Sequence, residues 1–296
     1  MPVLSSGRHR ARPDPALWWL VAVVLVVVLV GGCRAARIGT PRTAAPVEPA
    51  RPTAHSGVPA DWGQVFADDF DGTALDRSVW QPDRSGEKAG VPFNTDIEDG
   101  WFSPDNVSVA DGSLVFTIGD DDRTIHGLTY GYSSGMVQSN AAIPLTPSRY
   151  VEARIRFPRC DGCWPAFWLH PLDRWPPEID IAEYLETGVK SRPGFNYFDA
   201  DGKKTGLKEY GARGVDYRDE WHTYGVLWEG DRIVPYLDGK PYPELAATEN
   251  ITQGPMMIIL NLSVRAGFDT VPGQKMLVDW VRVWSPPAPS SAAPSS

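Results

Sequence analysis

The nine residues RYVEARIRF (149–157) alternate without a break, with Val151, Ala153, Ile155 and Phe157 on one side and Glu152, Arg154 and Arg156 on the other. Successive side chains of a β-strand point to opposite faces, so this segment predicts a strand with its apolar face inward and its charged face outward. Strand character recurs in short β-branched and aromatic runs: SLVFTI (113–118), WHTYGVLW (221–228), MMIILNLSV (256–264) and MLVDWVRVW (276–284). Gly, Pro, Asn and Asp separate these runs, and no stretch sustains a helical stripe. Such a series predicts an all-β fold, an antiparallel sandwich or jelly roll, in one domain.

One strand breaks the rule. PPEIDIAEYLE (176–186) carries four carboxylates in an otherwise apolar, β-branched run. On a regular strand Glu178 and Asp180 share a face with Ala182, while Glu183 turns to the opposite side with Ile179 and Ile181. A β-bulge near Ile181–Ala182 would bring Glu183 round to join the other two acids. Carboxylates crowded on one surface raise each other's pKa, so one stays protonated near neutral pH while another is ionised. Retaining glycoside hydrolysis uses such a pair ~5 Å apart, one group attacking the sugar carbon and the other protonating the leaving oxygen. Three of the twelve tryptophans, Trp164, Trp168 and Trp175, crowd just before the acids. Trp175, in a Pro-flanked loop, is the first expectation for an aromatic platform under a sugar ring, and Trp164 the second. Trp168 reads as core.

A net charge of −9 and the lack of a Lys/Arg-rich run exclude nucleic acid as the expected partner and suit a neutral or cationic ligand. Near the N-terminus, Arg8, Arg10 and Arg12 precede ALWWLVAVVLVVVLV (16–30) and then Gly-Gly-Cys33. The apolar run is short for a transmembrane helix, which needs ~20 residues, and reads as a secretory signal. Its LVGGC end resembles a bacterial lipobox, with the lipid on Cys33; the alternative is an uncleaved membrane anchor. Either reading leaves the rest of the chain facing outward, on the cell membrane or secreted. Residues 34–58 are Pro/Ala/Thr-rich and read as a tether, residues 59–284 as the catalytic domain, and residues 285–296 as a disordered tail. The remaining cysteines, Cys160 and Cys163, are an even pair in an oxidising compartment and predict a small disulfide loop. A zinc half-site would want a second Cys/His pair at ligand spacing, and a thioredoxin-like motif a βαβ setting.

Taken together, FADDFDGTALDRSVW (66–80), YSSGMVQS (132–139), YVEARIRFP, CWPAFWLHP (163–171), EIDIAE, WHTYGVLWEGDRIVPYLDGK (221–240) and LVDWVRVW resemble glycoside hydrolase family 16. They occur in that family's order, and EIDIAE matches the E-x-D-x-x-E form of its laminarinase-like branch. The resemblance implies a concanavalin A-like lectin/glucanase jelly roll and an endo-glycosidase acting on β-1,3- or mixed β-1,3/1,4-glucan. It further implies Glu178 as nucleophile, Asp180 as its partner and Glu183 as general acid/base, with no cofactor for catalysis and a monomeric chain. Some members hold a structural calcium, for which the matching positions are Asp69, the Gly112 backbone and Asp279. Two departures bear on the substrate. Asn196 in GFNYFDADGKK (194–204), expected to bind substrate, stands where members of the branch often carry His, and LNLSVRAGF lacks the usual Gly-Gly after its strand.

Three rival readings stand beside this one. GYSSG (131–135) matches an esterase nucleophile elbow at Ser133, with Asp180 and His222 following in order, although no helical period follows the serine. A lectin-like module would hold β-glucan without cutting it. A transglycosylase would use the same acids and pass the glycosyl group to a sugar hydroxyl.

Overall fold

Val151, Ala153, Ile155 and Phe157 are fully buried in the computed structural model, and their strand is one of nineteen among the described residues. These are 57–287 apart from 141, 142, 144, 172, 173, 186–190, 206 and 207. Residues 1–56, with the apolar run read as a signal, Cys33 and most of the stretch read as a tether, and residues 288–296 lie outside them.

In chain order the strands begin with β1 (Gly63–Asp68), β2 (Trp80–Gln81), β3 (Gly100–Phe102), β4 (Val107–Ala110), β5 (Ser113–Thr117) and β6 (Arg123–Ile125). There follow β7 (Leu128–Tyr130), β8 (Tyr132–Ser134), β9 (Met136–Ser139), β10 (Arg149–Arg156), β11 (Cys163–Pro171) and β12 (Glu178–Glu183). The last are β13 (Gly194–Phe198), β14 (Lys208–Glu209), β15 (His222–Trp228), β16 (Ile233–Leu237), β17 (Lys240–Pro241), β18 (Met256–Val264) and β19 (Lys275–Ser285). One sheet runs β17, β16, β15, β10, β19, β5, β4, with β1 also paired to β19; the other runs β14, β13, β12, β11, β18, β9, β2. All pairings within the two sheets are antiparallel, as the alternating patterns predict.

The main core lies between the sheets. Leu114 and Phe116, Val226 and Trp228, and Val281 and Val283 meet Phe167 and Leu169, Ile179 and Ile181, and Leu260 and Leu262 in one buried cluster. Each pair sits two residues apart on its strand, so one period-2 face of every strand supplies it. At roughly 2 kcal/mol for each large side chain taken out of water, this layer is what holds the sandwich closed.

The outward face of β10 corrects the expectation of a solvated surface. Glu152 and Arg154 are buried too. Tyr150, Tyr236 and Trp284 form a second apolar layer on that side, with Val58 and Trp62 of the N-terminal approach packed on it. A charge under such a layer needs a partner, and each has one: Glu152 accepts from the Tyr150 hydroxyl at 3.0 Å, and Arg154 pairs with Asp279 at 2.8 Å.

Cys160 and Cys163 form the expected disulfide, closing a loop just ahead of β11. Within it Gly162 adopts φ +76°, and a Cβ there would lie 2.3 Å from Thr270 Oγ1, so only glycine fits. The carbonyl of Gly162 accepts from the Arg265 N–H at 2.8 Å, which ties the loop to the end of β18.

Candidate active site

Both ladders of β12 slip at the same place. Against β11, Ala182 faces Phe167 while Asp180 faces the next residue, Trp168. Against β13, Asp180 faces Asn196 and Glu183 faces Gly194, three residues on one strand against two on the other. The extra residue is Ile181. Ile179, Ile181 and Ala182 are all fully buried toward the core, and Glu178, Asp180 and Glu183 line one cleft of about 740 Å³ on the outer face of the second sheet. The predicted bulge therefore exists at the predicted residues and does what the acid spacing requires.

Each acid has a dedicated donor. The Trp175 indole N–H donates to Glu178 Oε2 at 2.9 Å, the Asn196 side-chain amide to Asp180 Oδ2 at 2.9 Å, and the Trp164 indole N–H to Glu183 Oε2 at 3.0 Å. Glu178 is pushed up to about 7: burial is the largest cause, hydrogen bonds from Trp175 and Asp180 oppose it, and repulsion from Glu183 adds to it. Asp180 is driven well above the usual carboxyl range, first by burial and then by the charge of Glu178. Asp180 and Glu178 thus share a proton that rests on Asp180, which donates it toward Glu178 and leaves Glu178 the ionised member. A half-buried carboxylate that accepts from two donors suits nucleophilic attack at a sugar carbon.

Trp175 is 54% exposed at the cleft, as a sugar platform requires, yet its N–H is also committed to Glu178. Trp164 likewise lines the cleft and holds Glu183. Trp168, read as core, is buried: its N–H donates to Asn261 Oδ1 at 2.7 Å and its ring meets Phe93 edge-on at 4.8 Å. It belongs to a smaller apolar cluster with Phe102, Met136, Ala166, Met257 and Ile259, outside the main core. Even-numbered residues of β11 face the cleft, which puts Trp168 on the same side as Trp164.

Two cleft residues escaped the sequence reading. Asn261 continues the chain of bonds from Trp168, donating to Ser263 Oγ at 2.9 Å. Glu98 is 4% exposed in the cleft wall, with Oε1 accepting the Asn94 N–H at 2.7 Å and Oε2 lacking a partner among the described residues. Nothing in TDIEDGW (95–101) marks Glu98, because an acid in a loop is ordinarily solvated; it is buried only where that loop folds over β18. Burial pushes Glu98 up to about 7 from an ordinary 4.5. With the folded value above the unfolded one, the native state holds the extra proton, and the resulting stability is lost as pH rises from 4.5 through about 7. Glu98→Gln is expected to remove that slope, leaving a variant about 3 kcal/mol less pH-sensitive over the interval. Urea denaturation at several pH values measures it, and a wild-type slope in the variant would show that Glu98 is not the group responsible.

The esterase constellation is not brought together. Ser133 is buried on β8 with its hydroxyl on Asp121 at 3.1 Å, Asp180 sits with the acids, and His222 contacts Asp238 at 2.8 Å. Among the described residues His222 does not reach the serine, because the topology sends β8 and β15 to different sheets. At the calcium positions, Asp69 pairs with Arg282 at 2.9 Å and Asp279 with buried Arg154 at 2.8 Å. Among the described residues no group of three or more His, Cys, Asp or Glu is placed to hold a metal ion. Calcium there would share each carboxylate with a guanidinium, with the third position, Gly112, at φ +71° in the turn between β4 and β5.

A sequence model described as glycosyl hydrolases family 16 matches residues 96–282, which spans the bulged strand and its three acids. The chain belongs to this family. This family 16 member is 32% identical over 247 residues to the endo-1,3-1,4-beta-glycanase EglC of Rhizobium meliloti, covering 75% of this chain and 51% of that protein. It is 28% identical to glucan endo-1,3-beta-glucosidase A1 of Niallia circulans, over 74% of this chain and 37% of that protein. The chain thus spans about half or less of the length of these relatives. Among solved structures it resembles the endo-beta-1,3-glucanase of Pyrococcus furiosus at a TM-score of 0.63 and 27% identity, covering 76% of this chain and 94% of that one.

Proposed function

We propose that this chain is a retaining endo-glycosidase that hydrolyses β-1,3- or mixed β-1,3/1,4-glucan. The observation that carries the reading is the bulge at Ile181, which puts Glu178, Asp180 and Glu183 on one wall of one cleft. Glu178 attacks the anomeric carbon, Asp180 holds the shared proton beside it, and Glu183 protonates the leaving oxygen and later activates water. A module that only bound glucan would have no use for a carboxylate pair sharing a proton. The relatives named above act, by their names, on 1,3- and 1,3-1,4-linked glucans, which supports this substrate class. Catalysis needs no cofactor in this scheme.

Reducing-end release by residues 59–284 on laminarin, lichenan, agarose, carrageenan, xyloglucan and galactan tests it. Release from laminarin or lichenan is expected; binding without release would make the chain a lectin-like module. The ratio of hydrolysis to longer transfer products in the same digests separates a hydrolase from a transglycosylase.

Trp175 has two jobs on this reading, and Trp175→Phe separates them. The ring stays while the N–H that lowers the Glu178 pKa is lost, so the acidic limb of kcat/KM should move to higher pH. Trp175→Ala should in addition raise KM. An unmoved acidic limb in the phenylalanine variant would deny the hydrogen bond any catalytic part.

The localisation belongs to the same proposal: a chain exported by residues 1–33, lipidated at Cys33 and held out by the Pro/Ala-rich tether. The Cys160–Cys163 disulfide supports export to an oxidising compartment. Cys33→Ala should abolish incorporation of labelled fatty acid, and labelling that persists would refute the lipid site.

A further inference from the structure

The extra residue that turns Glu183 toward the cleft leaves its own backbone outside both ladders, since neither β11 nor β13 has a residue opposite Ile181. A buried carbonyl without a partner is strongly disfavoured, so the bulge persists only if something answers it. Tyr210 does so. Its hydroxyl donates to the Ile181 carbonyl oxygen at 2.7 Å, and both residues are buried. Tyr210 follows edge strand β14, so its hydroxyl crosses from the sheet margin to the middle of β12. It is held in place there, its own N–H donating to the Pro193 carbonyl at 3.0 Å and its ring lying edge-on to Tyr242 with centroids 5.5 Å apart.

We propose that Tyr210 is a positioning residue for the reaction, its hydroxyl pinning the bulge at Ile181 and thereby the directions of Asp180 and Glu183 on either side of it. The inference rests on the glycosidase reading above. A one-residue change of register sends every later side chain to the opposite face, so without the bulge Glu183 would point into the sandwich core. Even a loosened bulge matters, because a displacement of ~1 Å at a reacting group costs up to about a hundredfold in rate.

Tyr210→Phe removes the hydroxyl and keeps the ring. The expected result is a fall in kcat of about ten- to a hundredfold with KM within about twofold, together with a shifted alkaline limb as Glu183 moves relative to Trp164 and Glu178. Amide hydrogen exchange at Ala182 and Glu183 should accelerate. A residue that only supports the fold would lower the melting temperature and leave kcat and the pH profile of the folded enzyme alone; that result overturns the proposal. Unchanged exchange at those two amides also overturns it, and this readout does not depend on turnover. A wild-type chain inactive on every glucan would sink the glycosidase reading by itself, whereas unchanged exchange in an active enzyme would sink only the role of Tyr210. Deleting Ile181 supplies the second variant: with alternation restored, the three acids share a face without a bulge, and Tyr210→Phe should then add no further loss of kcat. An equal loss in both backgrounds would mean the hydroxyl acts elsewhere.

Discussion

Glu178→Gln is expected to lower turnover on glucan roughly 10⁴-fold or more, the scale on which loss of a covalent nucleophile acts. Glutamine keeps the shape and the oxygen that the Trp175 N–H reaches, but has no charge with which to attack. Binding of a glucan oligosaccharide should be retained, since the rest of the cleft lining is untouched. Stability at neutral pH should rise or hold, because a carboxylate whose pKa is pushed up to about 7 by burial is an unfavourable charge above that pH. Reducing-end release, calorimetric titration with oligosaccharide and thermal melts read the three effects. Activity above about one per cent of wild type would place the nucleophile elsewhere.

Glu183→Gln should lower kcat on the polysaccharide by about 10²- to 10⁴-fold, the contribution of a positioned general acid. The loss should shrink on aryl glycosides whose leaving phenol needs no proton, because the missing group then matters only for activating water. Azide added to the variant should restore turnover by attacking the glycosyl-enzyme in place of water, giving a β-configured product. Equal losses on both kinds of substrate would take the proton-donor role from Glu183, and an α-configured product would move the reaction to the inverting class.

The site was unusually legible because one short segment contradicts itself as a regular strand. EIDIAE puts one apolar residue between its first two acids and two, Ile181 and Ala182, before its third, and only an inserted residue reconciles the spacing with one face. That inference needed period 2 and nothing else, and both ladders slip where it requires. The strands were equally readable where a face is buried, as in β10. The tryptophans were less so: spacing brought Trp164 and Trp175 near the acids but could not show that each indole N–H is spent on a carboxylate. Trp168 is buried as read, but in the smaller apolar cluster on the cleft side of β11, against Phe93, which spacing could not show.

The sequence by itself determined the all-β class, the bulge and the identity of the three acids, since these follow from local alternation and from residue chemistry. Only the tertiary structure decided which proton goes where and what holds the bulge. Asn196 on β13, Trp164 on β11 and Tyr210 beyond β14 reach β12 across sequence separations of 16, 19 and 29 residues. The burial that raises Glu178, Asp180 and Glu98 exists only once the sandwich has closed and the loop before β3 has folded over β18. Side-chain alternation is written into adjacent residues; desolvation and long-range hydrogen bonds are properties of what packs against them.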